Sequence, residues 1–208
     1  MKNGPRLHLA LLAAVVGVMA WSGWRAYDRF TWWLEISPGL AAIILLVLTY
    51  RRFRFTSLVY VLIALHISVL CVGGHYTYAR VPLFDWLRPL FGWQRNHYDR
   101  LGHFMQGFVP AIISREVLLR LAVLNRKSWL PFVVVSICLA ISAFYELVEW
   151  WTALFSGSAA NDFLGTQGDV WDTQADMCFA LIGAIVALIF LSRIHDRALE
   201  KYREGMAA

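Results

Sequence analysis

The chain has 208 residues, of which 59% are hydrophobic, and it contains 10 Trp. This apolar share is far above that of an ordinary soluble domain and predicts an integral membrane protein. The net charge is +5, but the basic residues form short clusters between apolar runs, as membrane orientation requires, so nucleic-acid binding is excluded. The 3 Cys lie inside apolar runs without CxxC spacing, which indicates neither a disulfide framework nor a thiolate metal site.

Six apolar runs follow one another along the chain, and each approaches or exceeds the roughly 20 residues that a helix needs to cross a bilayer. Helices are the expected elements because lipid cannot satisfy open backbone groups. We therefore predict an all-α polytopic membrane bundle that forms a single transmembrane domain over residues 1–208. The predicted helices cover residues 7–24, 32–50, 56–78, 99–121, 130–155 and 170–192.

The first run has two interpretations. Val18-Met19-Ala20 is a tolerable signal-peptidase site, but an uncleaved anchor is the interpretation we favour. In a six-helix arrangement most basic clusters fall on one side of the membrane, which predicts that both termini are cytoplasmic. These clusters are Lys2/Arg6, Arg51/Arg52/Arg54, Arg120/Arg126/Lys127 and Arg193/Arg197/Lys201/Arg203.

Residues 79–98 interrupt the apolar pattern between the third and fourth runs. The segment mixes Pro82, Pro89 and Gly92 with Trp86 and Trp93. Trp and Arg are both favoured at the membrane–water boundary. We expect an amphipathic segment that lies in the outer interface.

Acidic and imidazole side chains recur at one depth on four of the predicted helices, each group within two or three turns of the outer surface at about 1.5 Å rise per residue. Residues three or four apart share one helical face, so each group presents a single polar face. Four such faces at one depth imply a shared cavity. The pairs are Asp99/His103, Glu146/Glu149 and Asp172/Asp176, with His75 at the end of the third helix.

Carboxylates and imidazoles that project inward from bundle helices are the usual way in which such folds build metal sites. We predict His103, Glu146, Asp172 and Asp176 as metal ligands. The mixture of donors suits Zn, Mn or Fe better than Ca. A divalent ion would also neutralise acids that cannot all stay ionised together. The spacing matches no strict motif such as HExxH.

These residues predict a metal-dependent membrane hydrolase or transferase that acts on a lipid or envelope precursor. In this hypothesis Glu149 or Asp99 is the general base, while His75, Arg100 and Tyr145 bind the substrate. One alternative is a cation- or proton-coupled transporter. A second is a non-catalytic lipid-binding or assembly protein whose acids are structurally paired.

Several polar residues have simpler interpretations. Glu149 can form a structural ion pair with Arg100. The others are Asp162 and Asp169 as loop or N-cap residues, His66 as a hydrogen-bonded core histidine, His195 as an interfacial residue and Arg115–Glu116 as a cytoplasmic-rim pair.

Four segments carry a family resemblance: HYTYARVPLFDWL, NHYDRLGHFMQGFVP, SAFYELVEWW and FLGTQGDVWDTQADM. Together they resemble the bacterial inner-membrane family typified by YjdF. The resemblance implies a polytopic protein of the bacterial inner (plasma) membrane, and it supplies no catalytic residues. Membrane lipids are the expected partners, and the Trp-rich bundle is compatible with a homo-oligomer.

A looser likeness is to VanZ-like proteins, which are associated with glycopeptide resistance. These proteins carry an Asp–His pair on one helix, a Glu on the next and an Asp pair before a small-residue helix. This sequence departs from that pattern, since Glu149 replaces a Gln and Ala180 replaces an Asn. The matching positions are Asp99, His103, Glu146, Asp172, Asp176 and Gly183.

Overall fold

The computed structural model describes residues 4–156, 163 and 166–207, and these residues form helices and no strand. The predicted all-α polytopic membrane bundle is confirmed. A 3₁₀ turn at Lys127–Trp129 precedes the sixth helix. The helices are α1 (Gly4–Gly23), α2 (Arg29–Thr49), α3 (Ser57–Tyr76), α4 (Pro82–Phe91), α5 (Tyr98–Arg120), α6 (Leu130–Ser156) and α7 (Asp172–Ala207).

Five of the described helices, α1, α2, α3, α6 and α7, are long and apolar enough to cross a membrane. Helix α5 has 23 residues, and it therefore extends about 35 Å. It runs parallel to α7, because Arg100 contacts Asp172 near their N-terminal ends and Arg120 contacts Tyr202 near their C-terminal ends. Charged side chains lower the hydropathy of α5, but it connects the same two ends of the bundle.

The core lies where α3, α5, α6 and α7 meet. Its fully buried side chains include Val59, Val109, Ile112 and Val134. Large apolar side chains elsewhere point outward, which is the arrangement expected when the surrounding solvent is lipid. Examples are Leu48, Phe155, Ile189 and Phe190.

The predicted interfacial segment 79–98 contains the short helix α4. Leu83, Trp86 and Leu90 are all strongly exposed on this helix, and their spacing places them on one face. An exposed apolar face on a short helix is typical of a segment that lies in a membrane interface. Asn96 ties the segment back on itself, since its Nδ2 donates to Asp85 Oδ1 at 3.0 Å and to Val81 O at 3.0 Å.

Helix α7 continues well past residue 192, where the apolar run ends. The charged tail remains helical because it is rich in good helix formers such as Ala, Leu, Glu, Lys and Arg. It also retains tertiary contacts, since Leu199 is buried and the Tyr202 ring lies 4.6 Å from the Arg120 guanidinium carbon.

Candidate functional site

Close packing of α5 on α7 sets the positions of the polar side chains on both helices. A β-carbon added at Gly107 would lie only 1.8 Å from the Ala180 carbonyl oxygen, and one added at Gly183 would lie 2.1 Å from the Phe104 carbonyl oxygen. Small residues allow helix backbones to approach in this way inside membranes. The first turns of the two helices are therefore held against each other.

Two arginines and four aspartates form a salt-bridge network around these first turns, in which Arg95 Nη2 lies 3.6 Å from Asp99 Oδ2. Asp172 Oδ1 accepts from Arg95 Nη1 at 2.5 Å and from Arg100 Nη2 at 2.8 Å. Arg100 Nη2 also donates to Asp169 Oδ2 at 3.0 Å, and its Nη1 donates to Asp176 Oδ1. Both guanidinium groups are buried, and such pairs need the complete partner set because desolvation of a charge is costly.

His103 lies one turn further into the bundle, among three carboxylates. Its Nε2 is 3.5 Å from Asp99 Oδ1 and 3.7 Å from Asp176 Oδ1. Its Nδ1 is 3.2 Å from Gln106 Oε1 and 3.9 Å from Glu146 Oε1. Glu146 Oε1 is buried and has no hydrogen-bond partner among the described residues, so one acid beside this histidine is incompletely satisfied.

Two further acids approach the same place from α2 and α6. Glu35 is buried, and its Oε2 accepts from the Tyr145 hydroxyl at 3.4 Å. Glu35 also interacts electrostatically with Asp99 and His103. Glu149 interacts in the same way with Glu146, Asp99 and Glu35. We call the whole set the acid–arginine cluster: Glu35, Arg95, Asp99, Arg100, His103, Glu146, Glu149, Asp169, Asp172 and Asp176.

The segment before α7 is fastened to the segment before α5. The Asn96 amide N–H donates to Gln167 Oε1 at 2.9 Å, and Gln167 Nε2 donates back to Asn96 O at 2.9 Å. Asp169 lies next to this contact, at the open edge of the cluster. A hydrogen bond from the Trp171 backbone N–H, together with Arg100 and Arg95, lowers the pKa of Asp169 below its ordinary value.

Comparison with known proteins identifies the family of the chain. The family model described as "Predicted membrane protein (DUF2238)" matches residues 7–197. The chain belongs to this family. It is also 48% identical over 185 residues to the inner membrane protein YjdF of Escherichia coli strain K12, which covers 89% of this chain and 88% of that protein. No solved structure matches it.

Within this DUF2238 chain, Asp99, His103 and Asp176 are the described residues best placed to hold a metal ion. One ligand atom from each lies within 4.8 Å of the others. Ligand bonds of about 2.0–2.2 Å in a tetrahedral site separate neighbouring donor atoms by roughly 3.4 Å, close to the 3.5 Å and 3.7 Å found around His103 Nε2. Glu146, on the Nδ1 side of the ring, is the adjacent acid.

The structure separates some residues that the sequence prediction had grouped. Asp172 is engaged by two guanidinium groups rather than lying beside His103. His75 is directed to α1, where its Nδ1 lies 2.8 Å from Ser22 O and its ring stacks on Trp21. Tyr145 lies beside both Glu35 and His103. The roles predicted for all three stay predictions.

Arg100 is paired with Asp169, Asp172 and Asp176, and not with Glu149 as the simpler interpretation proposed. The sequence interpretation missed Arg95 and Glu35. Glu35 had a usable signal, because it is a solitary acid within an apolar run. Asp162 lies outside the described residues.

A second polar cluster, the Glu116 cluster, lies near the other end of α5 and α7. Glu116 Oε1 accepts from Thr56 N at 2.9 Å and from Arg120 Nη1 at 2.8 Å. Its Oε2 accepts from Thr56 Oγ1 at 2.7 Å and lies 3.0 Å from His195 Nε2. Arg115 Nη1 lies 2.9 Å from His195 Nδ1. Since arginine only donates, Nδ1 accepts and Nε2 carries the proton that is donated to Glu116.

Two interpretations from the sequence are corrected by this cluster. His195 is fully buried between two partners and is not an interfacial residue. Arg115 and Glu116 do not pair with each other in the described contacts. Arg115 bonds to Asp196 Oδ1 at 2.8 Å and to His195, whereas Glu116 reaches α3 through Thr56.

Proposed function

We propose that the acid–arginine cluster binds a divalent cation and that the protein is a metal-dependent membrane enzyme acting on a lipid or envelope precursor. The observation that carries the proposal is the convergence of Asp99, His103 and Asp176 within a cluster richer in acids than in bases. Buried carboxylates in such excess need protons or a cation to balance them. One imidazole with several carboxylates suits Zn, Mn or Fe.

The proposal changes the predicted ligand set. Asp99 replaces Asp172, because Asp99 Oδ1 lies 3.5 Å from His103 Nε2, whereas the contacts of Asp172 are with Arg95 and Arg100. Asp172 instead fixes the two arginines. Glu146 is not a ligand of the same ion in this proposal, because its unpartnered Oε1 lies on the Nδ1 side of the histidine ring, away from Nε2.

The remaining residues of the cluster have chemical roles in this proposal. A bound divalent ion supplies a Lewis acid and an activated water. Glu149 is the general base, because it lies near Glu146 and is half-buried without a direct arginine partner in the described contacts. Arg95 and Arg100 are buried in salt bridges and hold the carboxylates in position, so the bound cation is the group that meets an anionic headgroup. The depth of the site makes a lipid the fitting substrate class.

We also propose that both termini are cytoplasmic and that the acid–arginine cluster faces outward in a bacterial inner membrane. The support is the clustering of basic residues at the opposite end of the bundle and the name of the Escherichia coli relative, which is an inner membrane protein. An alkaline phosphatase fused after the last residue is expected to be inactive, and a fluorescent protein fused there to fluoresce. The reverse result would invert the assignment.

The first test is the metal content of the purified protein, measured by elemental mass spectrometry without chelator and after reloading. Wild-type protein is expected to hold about one Zn, Mn or Fe per chain, and His103→Gln to hold none. Asp169→Asn is the matched control, since Asp169 contacts the arginines but does not belong to the converging trio. Wild-type protein that stays metal-free would refute the cation site.

The second test concerns the reaction. Metal-loaded protein is reconstituted in vesicles of total bacterial membrane lipid, and the lipids are compared by mass spectrometry before and after incubation. Wild-type protein is expected to convert one lipid class, whereas His103→Gln leaves every class unchanged. A metal-loaded wild type that alters no lipid would preserve the cation site and eliminate the lipid enzyme.

Proton-coupled transport is the second candidate, supported by the polar groups at both ends of α5 and α7. His66 on α3 interacts electrostatically with His103 on α5. Glu116 lies about 20 Å from His103 along α5. Proton flux into vesicles under an imposed potential should then occur with wild type and be lost in His66→Leu. His75→Leu is the control, because His75 faces α1. Absence of wild-type flux would eliminate this candidate.

A further inference from the structure

A cavity between α1, α2 and α3 lies apart from both polar clusters. Its volume is about 350 Å³, within the range of roughly 300–1,000 Å³ that is typical of ligand sites. The walls are mainly aliphatic. They include Leu12, Val15, Ile43, Leu46, Ile63 and Ile67.

The cavity exists because α1 and α2 diverge. Near the acid–arginine cluster the two helices touch, since Trp32 Nε1 donates to Ser22 Oγ at 3.0 Å and the Trp32 ring covers Gly23. Toward the other end the space between them is lined by Leu9 and Leu46, and Leu9 is itself strongly exposed. A wedge between two lipid-facing helices is accessible to an acyl chain from the bilayer.

A second cavity of about 310 Å³ adjoins this wedge at the end of the bundle that holds the C terminus of α5, and the two share Pro5, His8 and Tyr50 as walls. Half of its other wall residues are arginines, and none of the wall residues is acidic among those that the structure describes. The arginines are Arg51, Arg52, Arg54 and Arg120.

Polar side chains lie where the apolar wedge meets the second, arginine-lined cavity. His8 Nδ1 lies 2.8 Å from the Tyr50 hydroxyl, and His8 Nε2 lies 3.0 Å from Ser57 Oγ. The His8 ring packs on the Tyr60 ring at 4.2 Å between centroids. Side chains with an apolar body and a polar tip are favoured at the depth where lipid headgroups begin.

Three of the arginines are available to a ligand. Arg51, Arg52 and Arg54 are exposed, and none of the salt bridges among the described residues uses them. The Arg54 guanidinium carbon lies 4.7 Å above the Tyr50 ring, which holds this charge over the mouth of the wedge. Arg120 differs, because Glu116 already neutralises it.

We propose that this site binds one anionic phospholipid from the leaflet on the N-terminal side of the membrane. The phosphate lies among Arg51, Arg52 and Arg54, the ester region meets the His8–Tyr50 junction, and one acyl chain fills the wedge between α1 and α2. Charge complementarity identifies the occupant, since basic pockets between membrane helices recognise acidic headgroups. The site lies at the opposite end of the bundle from the proposed cation site and does not depend on it.

The test is native mass spectrometry of the full-length protein in detergent with added phosphatidylglycerol or phosphatidylethanolamine. Wild-type protein is expected to retain phosphatidylglycerol in preference to phosphatidylethanolamine. Arg51→Gln/Arg52→Gln/Arg54→Gln should weaken its binding by about tenfold or more, since each basic residue near an anionic headgroup contributes of order 1 kcal/mol. Arg193→Gln/Arg197→Gln/Arg203→Gln removes the same charge from exposed positions at the same end of the bundle and should change binding less than about twofold.

A second variant tests the acyl-chain part of the site. Leu46→Trp fills the wedge and should lower phosphatidylglycerol binding while the thermal unfolding temperature shows that the protein remains folded. Equal loss in both triple variants would overturn the proposal in favour of unspecific charge attraction. Binding that persists in the Arg51/Arg52/Arg54 variant, or full competition by inorganic phosphate alone, would overturn it as well.

Discussion

The acid–arginine cluster and the Glu116 cluster are built on the same two helices, yet their charges are balanced differently. In the Glu116 cluster both carboxylate oxygens are bonded, and its histidine donates to one side and accepts on the other. In the acid–arginine cluster seven acids face two arginines and one histidine among the described residues, and Glu146 Oε1 lacks a partner. Removal of one partner from a completed buried network destabilises a fold, whereas an excess of acids inside a membrane protein indicates a functional site.

The same comparison predicts which substitutions alter stability and which alter function. The Glu116 cluster should respond to substitution by unfolding. The acid–arginine cluster should tolerate the loss of an acid and lose its ligand instead.

The largest effect is expected from Glu116→Ala. It leaves Arg120 and the Thr56 N–H without their buried acceptor and should lower the free energy of unfolding by about 3–5 kcal/mol, measured by reversible denaturation in mixed micelles. Glu200→Ala, an exposed acid on α7, is the control and should stay within about 0.5 kcal/mol of wild type. A loss below about 1 kcal/mol for Glu116→Ala would show that the network is not structural.

Separating α5 from α7 should disturb both clusters together. The added methyl of Gly107→Ala meets the Ala180 backbone and should cost about 1–3 kcal/mol, as overpacking does, and also reduce metal retention. Gly17→Ala is the control because its added β-carbon meets nothing within 4 Å beyond the neighbouring turn of its own helix, and it should be neutral or slightly stabilising. Equal effects of the two substitutions would refute the close contact.

A smaller effect is expected when one carboxylate in each cluster is replaced by its amide, with a chelator present to remove bound metal. The two substitutions should affect stability differently. Glu146→Gln removes a surplus negative charge near Asp99 and Asp172 and should leave thermal stability unchanged or raise it by up to about 1 kcal/mol. Glu116→Gln weakens charged hydrogen bonds and should lower stability. Equal losses of stability in both variants would show that the two clusters do not differ in their balance of charges.

The smallest effect is the pH dependence due to Asp169. Its folded-state pKa lies below the ordinary value of 3.8 because of the Trp171 N–H and the two arginines. The stabilisation of the fold by ionised Asp169 is therefore present above about pH 4 and is lost as the pH falls through the folded-state pKa. The difference in unfolding temperature between wild type and Asp169→Asn should be constant near neutral pH and shrink below about pH 4. A difference that grows on acidification would contradict this sign.

Much of the architecture could be predicted from hydropathy, because lipid forces long apolar runs into helices. The limits of that method are visible at helix ends. Asp28 accepts from Thr31 N at 2.7 Å and so starts α2 at Arg29, a capping effect that precedes the apolar run. Helix α7 extends to Ala207, beyond the end of the apolar run, because the tail has high helix propensity and Tyr202 contacts Arg120.

The site was predictable where helical spacing alone decides which face a residue occupies. Spacing of four placed Asp99 with His103, and equal depth placed Glu146 and Asp176 opposite them. Arg95 was missed because it precedes α5 in a loop. The roles of His75 and Asp172 depend on which neighbour each meets, and that is determined by packing on α1 and by the two arginines.

The close pairing of α5 and α7 has a consequence for the thickness of the membrane that surrounds the protein. From His103 to Glu116 the apolar stretch of α5 measures about 20 Å, whereas a bilayer core is about 30 Å thick and the outer helices α1 and α2, of 20 and 21 residues, match that value. The interior of the bundle is thus hydrophobically thinner than its wall. The charged groups at the two ends of this stretch therefore lie closer to the membrane centre than the headgroups of the surrounding lipids. The length of the lipid chains in the host membrane determines the difference in depth.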